Sequence, residues 1–138
     1  MSQPGQTYMV TTTTAARTPV FNDFELGCVT ARAIAARRAE FTVLCWVLMP
    51  DHFHAPVELN EGSLSQAMGG LKARTASAVN RVRGTRAPVW ARAFHDRALR
   101  HDDDMLQVAR YLICNPLRAG LVRSVREYPF WDAVWVGR

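Results

Sequence analysis

The chain has 138 residues, long enough to bury a core without disulfides or a structural metal, and its length suits one domain spanning residues 1–138. Net charge is +5 and uneven: from Lys72 to Arg126 there are twelve basic residues against four acidic, and elsewhere five against eight. Nowhere do about eighteen apolar residues stand together, and the N-terminus has no basic stretch leading into an apolar run. A membrane span and secretion are therefore not expected.

Cys28, Cys45 and Cys114 are odd in number and far apart, with no CxxC pair, so they read as reduced thiols in a cytoplasmic protein. Every basic residue except Lys72 is arginine, the side chain suited to bidentate phosphate recognition. A GC-rich genome produces the same bias, and a solvated basic surface is the plain alternative. The uneven sign favours nucleic acid as partner of the basic half.

In chain order, "TYMVTTTT" at 7–14 is rich in β-branched residues and predicts a strand. Asn22 or Asp23 then suits a helix N-cap, and residues 23–40 place Phe24, Cys28, Ala31 and Ala35 at helical spacing. The apolar run 41–49 and the alternating "HFHAPVEL" at 52–59 predict two antiparallel strands joined by a tight turn at Pro50-Asp51. A proline at 56 removes a ladder donor, which predicts an edge strand or a bulge. Ser63 and Gln66 form a capping box, followed by an apolar face of Leu64, Met68, Leu71, Thr75, Val79 and Val82. After "GTRAP" breaks the chain, the aromatic "VWARAFHDRALR" at 89–100 predicts a fourth strand. Asp102–Asp104 open a last helix, with Leu106, Ala109 and Ile113 on one side, that ends at Pro116. The order βαββαβ plus a further helix predicts an α+β, ferredoxin-like (split βαβ) antiparallel sheet, with helices on one face and the other face available.

In a strand, His52 and His54 project from one face with Cα atoms roughly 6.5–7 Å apart, near enough to ligate one metal ion. Alone, two such histidines are a weak signal and are more often surface or hydrogen-bonded residues. Tyr111 and Asn115 stand four apart on the last helix, which brings them to one face, and an amide oxygen is a reasonable third ligand. Tyr111 as an ordinary amphipathic tyrosine and Asn115 as the cap of a new turn before Pro116 are the bland alternatives.

"LMPDHFH", "YLICNPLRAGLV" and "EYPFW", in that order, resemble the REP-associated tyrosine transposases within the HUH single-tyrosine, IS200-like superfamily. The likeness runs from about residue 8 to residue 135. It implies metal-dependent cleavage and strand transfer of single-stranded, hairpin-forming DNA, with the last helix as the catalytic one. His52, His54 and Asn115 would hold Mg²⁺ or Mn²⁺, and Tyr111 would be the nucleophile. A phenol with an ordinary pKa of about 10 then needs positive charge nearby. Lys72, Arg74, Arg81, Arg83, Arg86 and Arg92 are candidates for phosphate contacts, and Trp90, Phe94, Phe130 and Trp131 could stack on bases or belong to the core. His95 and His101 receive no role. The chain departs from the family pattern at Ala55-Pro56, at Ala91 and across "TTTTAARTPVF". A catalytically inactive, domesticated hairpin-binding module and a nuclease that uses water in place of Tyr111 stay open, as does action as a monomer or a homodimer. The expected location is cytoplasmic, at the nucleoid.

Overall fold

β1 (Thr7–Thr13) alternates strictly, with Tyr8, Val10 and Thr12 buried and their neighbours half-buried, as expected of a strand with one side against a core. The computed structural model describes residues 2–100 and 105–133; His101 and Asp102–Asp104 lie outside them. The other elements are α1 (Phe24–Ala35), β2 (Phe41–Val43), β3 (Cys45–Met49), β4 (His52–Leu59), α2 (Leu64–Arg83), β5 (His95–Ala98), α3 (Met105–Ile113), α4 (Asn115–Arg118) and β6 (Trp131–Ala133). The strands form one sheet in the order β5-β1-β4-β3-β6, with β2 also paired to β4 and every pairing antiparallel. Leaving out β6, that is the ferredoxin-like arrangement, with β1 and β4 at the centre.

The proline in β4 acts through its neighbour. Val43 faces Val57 whereas Val47 faces His54, so the β2–β3 side carries one extra residue opposite Ala55-Pro56. This bulge splits one predicted strand into β2 and β3. Leu44 N–H donates to the Pro56 carbonyl at 3.0 Å, so the missing Pro56 N–H faces the bulge. β4 is consequently central, and of the two predicted outcomes the bulge is the one observed.

Asp23 caps α1, its Oδ1 accepting from Leu26 N–H at 3.2 Å. The helix stops at Ala35, five residues short of the predicted end, because Ala36 is extended. Its inward stripe is Leu26, Gly27, Thr30 and Ile34, and Phe24 is exposed. The rotation follows from Phe130, whose ring occupies the space beside Gly27: a Cβ there would lie 2.2 Å from Phe130 Cζ. α2 has the predicted capping box, with Ser63 Oγ accepting from Gln66 N–H and Gln66 Oε1 accepting from Ser63 N–H, both at 3.1 Å. α1 and α2 pack together on the sheet face that carries Thr12, Phe53 and Ala55.

Two predictions at the sheet's margins need correction. Only His95–Ala98 of the predicted fourth strand pairs as a strand; Trp90 makes a lone bridge to Thr14. The segment between them is diverted by Lys72, whose ammonium donates to the carbonyls of Ala91, Arg92 and Ala93 at 2.5, 3.1 and 3.4 Å. β6, absent from the sequence reading, covers β3, and the Tyr128 hydroxyl donates to the Leu48 carbonyl beside it. The face opposite α1 and α2 is only partly open. Cys45, Val47 and Met49 point to it by register yet are buried, and α3 packs there against β3 and β6. The inward residues of α3 are Ala109 and Leu112, with Ile113 half-buried and Leu106 exposed. Among the described residues no helix is long and apolar enough to cross a membrane, and Cys28, Cys45 and Cys114 are free thiols.

Candidate active site

The two-residue period of β4 sends Phe53 and Ala55 into the core and puts His52 and His54 side by side on the opposite face. Their ring centroids are 4.6 Å apart and the planes perpendicular. Each ring is held from behind. His52 Nδ1 lies 2.8 Å from Asp51 Oδ1, and His54 Nδ1 lies 2.8 Å from Thr11 Oγ1 on the paired strand β1. Burial alone would raise the Asp51 carboxyl, but hydrogen bonds from His52 and Arg17, with the Arg17 charge, hold it below the usual carboxylate range. An ionised Asp51 accepts, so His52 donates from Nδ1, which leaves Nε2 as the ring nitrogen not engaged by the carboxylate. Burial, then the charges of His52 and Arg17, push His54 down to about 4, so its imidazole is neutral near pH 7. Thr11 Oγ1 engages its Nδ1, so Nε2 is the ring nitrogen left for a ligand. Two oriented imidazoles backed by a carboxylate and a hydroxyl are a donor set that fits a divalent metal.

Among the described residues no third His, Cys, Asp or Glu joins the pair, so a further protein ligand has to be of another type. Asn115 is the predicted one. It sits half-buried at the start of α4, directly before Pro116. The N-cap position belongs to Cys114, which makes no side-chain cap bond, so the capping role that competed for Asn115 is not the one its side chain performs. Among the described residues its Oδ1 accepts a single, long 3.4 Å bond, from Arg118. The chain passes from α3 to α4 with Cys114 in right-handed helical geometry. α3 ends at Ile113, so Asn115 stands on α4 and not, as predicted, on the same helix as Tyr111; Pro116 removes a backbone donor there.

Tyr111 is on α3, the helix that packs over the histidine face, and is 69% exposed. The Arg118 guanidinium carbon stands 3.7 Å from its ring centroid, a cation–π contact two turns along. The exposure departs from a tyrosine buried as part of an amphipathic face. The histidine pair lies half-buried on the partly open sheet face; a cavity of about 510 Å³ is elsewhere, between the end of α1 and the β2–β3 side, lined by Ile34, Phe41, Trp46, Arg37 and Arg38. An open site suits a polymer better than an enclosed small molecule.

The candidate phosphate contacts divide into two groups. Arg81, Arg83, Arg86 and Arg92 are exposed, three of them at the end of α2 and in the loop after it. Lys72 is held by three carbonyls, and burial lowers its pKa. Arg74 is mostly buried and pairs with Glu40 at 3.5 Å. These two have intramolecular roles. Of the candidate stacking aromatics, Trp90 and Phe130 are core: Trp90 donates to Thr75 Oγ1 at 2.8 Å and packs 5.4 Å from Phe21. Phe94 and Trp131 are half-buried against the same core. Sequence reasoning missed Thr11, Asp51, Arg17 and Arg118. An acidic residue directly before a histidine pair is a usable signal for Asp51; Thr11 needs the register of β1 on β4, which no local pattern supplies.

The family profile described as "Transposase IS200 like" matches residues 2–112. A REP-associated tyrosine transposase of Escherichia coli (strain K12) is 27% identical over 96 residues, covering 68% of this chain and 55% of that protein. A candidate protein of the same kind from Haemophilus influenzae is 24% identical over 101 residues, covering 65% and 57%. The chain thus spans about half the length of the curated relatives it matches. Among solved structures, a REP-associated tyrosine transposase bound to a REP hairpin aligns with a TM-score of 0.68 at 23% identity, over 95% of this chain and 82% of that one. A candidate transposase from Deinococcus radiodurans R1 aligns at 0.55 and 13% identity, over 80% and 92%. These two share the fold. Because the profile runs unbroken from β1 through the histidine pair to the tyrosine on α3, the chain belongs to the IS200-like transposase family.

Proposed function

We propose that this chain cuts and rejoins single-stranded, hairpin-forming DNA through a covalent phosphotyrosine, with Tyr111 as nucleophile and His52, His54 and Asn115 holding Mg²⁺ or Mn²⁺. One observation carries the proposal: both imidazoles are tied back through Nδ1, leaving two Nε2 atoms on the sheet face over which the tyrosine helix packs. Bound there, the ion would supply Lewis-acid polarisation of a non-bridging phosphate oxygen and orient the scissile bond. Imidazole ligands tilt the choice towards Mn²⁺.

The protein's own groups account for the rest. Tyr111 Oη forms the new bond to phosphorus as the bond to the 3′ oxygen breaks, and the phenolic proton ends on that oxygen, directly or through water. The products are a 5′-phosphotyrosine and a free 3′-hydroxyl. Because the ester keeps the bond, a 3′-hydroxyl can attack in reverse and rejoin strands without ATP. Exposure of Tyr111 lets a strand reach it, and Arg81, Arg83, Arg86 and Arg92 would hold phosphates. The relative solved with a REP hairpin supports a hairpin target. DNA as substrate places the chain in the cytoplasm at the nucleoid, as a monomer or a homodimer, with residues 1–138 acting as one domain.

Incubation with end-labelled hairpin DNA and Mn²⁺, alongside Tyr111→Phe, tests the proposal. The expected result is a covalent adduct that survives denaturation and is absent from the variant. Cleavage that persists in the variant would assign water as the nucleophile, and salt-sensitive binding without cleavage would leave a domesticated binding module.

A further inference from the structure

The segment after β1 is built in an unusual way. Ala16 and Arg17 both have φ of 55°, two successive non-glycine residues in the left-handed region. Left-handed backbone is costly for residues with a Cβ and persists only where its surroundings impose it. Here they do: Thr14 N–H donates to the Asp51 carbonyl at 2.9 Å, Ala15 N–H to the Val89 carbonyl at 2.9 Å, and Thr14 Oγ1 to the Thr18 carbonyl at 2.7 Å. What the bend accomplishes is to aim Arg17 at Asp51, with Nε 3.0 Å from Oδ2, while the other carboxylate oxygen holds His52. The result is a chain of contacts, Arg17–Asp51–His52, that ends at the proposed metal seat.

The Arg17 side chain is 61% exposed, so only one edge of its guanidinium is engaged. Its two terminal nitrogens have no partner among the described residues and form the edge suited to a phosphate. We propose that Arg17 is a positioning residue with two connected roles: through Asp51 it sets the orientation of His52, and with its outer edge it binds a DNA phosphate beside the metal seat. This rests on the reading of the site given under Proposed function.

Two variants separate the roles. Arg17→Gly removes the side chain at a φ that glycine adopts freely, so folding is preserved. Arg17→Lys keeps the charge but loses the Nε–carboxylate geometry. Mn²⁺ affinity is measured by calorimetry on the protein alone, and hairpin oligonucleotide binding is measured against salt. Arg17→Gly is expected to weaken Mn²⁺ binding about 10-fold or more, and to reduce the slope of log affinity on log salt by about 0.7, one phosphate on a single strand. Arg17→Lys is expected to lose the metal affinity and keep the slope. An Arg17→Gly protein that matches the wild type in either measurement overturns the inference. Wild-type protein that binds neither Mn²⁺ nor the hairpin would instead overturn the reading of the site.

Discussion

At the scale of single residues, the geometry around the two imidazoles separates groups that bind from groups that orient. The Thr11 hydroxyl engages His54 at Nδ1, so Thr11→Val should keep the β1–β4 ladder intact but release that ring. The expected effect is a 10- to 100-fold loss of Mn²⁺ affinity, read by calorimetry; an unchanged affinity would show that His54 needs no support from β1. Tyr111 is exposed, so Tyr111→Phe should change the stability by less than about 0.5 kcal/mol while abolishing covalent adduct formation. A large fall in melting temperature would mark the tyrosine as structural. Of these residues, the histidines stood out as a strand pattern, whereas Tyr111 and Asn115 were singled out by the family resemblance and not by their spacing. Thr11 was not, because its role depends on which strand pairs with β4 and in what register.

At the scale of elements, α1 and the C-terminal segment are fitted to each other. Gly27 leaves room for the buried Phe130 ring, so Gly27→Ala sets an overpacking cost of about 1–3 kcal/mol against a helix-propensity gain of ~1 kcal/mol. The clash should win, since a Cβ would stand 2.2 Å from a ring that is itself buried at 6% exposure; thermal unfolding should show a lower melting temperature. Tyr128 ties the same segment to β3 through the Leu48 carbonyl, and burial pushes its pKa up to about 12. The unfolded chain would lose that proton near pH 10, the folded one near 12. Stability is therefore full below about pH 10 and falls as pH rises towards 12. Tyr128→Phe should cost about 1–3 kcal/mol at neutral pH by leaving the Leu48 carbonyl unpaired, and should flatten that alkaline loss in chemical denaturation.

At the scale of the whole molecule, charge is divided between cations that shape the fold and cations free to meet a polyanion. Lys72 pins the loop before β5 and Arg74 pairs with Glu40, whereas Arg81, Arg83 and Arg86 stand in solvent at the end of α2. Replacing those three with alanine should lower the salt slope of hairpin binding by about 2, at about 0.7 per phosphate contact, with little change in stability. Arg74→Ala should do the reverse. A triple variant with the wild-type slope would move the DNA track elsewhere on the molecule.

Local chemistry in the sequence determined much of this protein. The Ser63–Gln66 capping box, the Asp23 cap, the alternation of β1 and β4 and the two-residue spacing of His52 and His54 each depend on groups a few residues apart, so their outcome could be read without knowing the fold. Only tertiary structure decided the rest. The bulge opposite Pro56, the diversion of Ala91–Ala93 by Lys72, the three-residue strand β6 and the Arg17–Asp51–His52 chain all join segments distant in sequence. Each is set by which backbone donor or buried ring meets which partner across the sheet. That is a property of the closed packing, and no single stretch of the chain carries it.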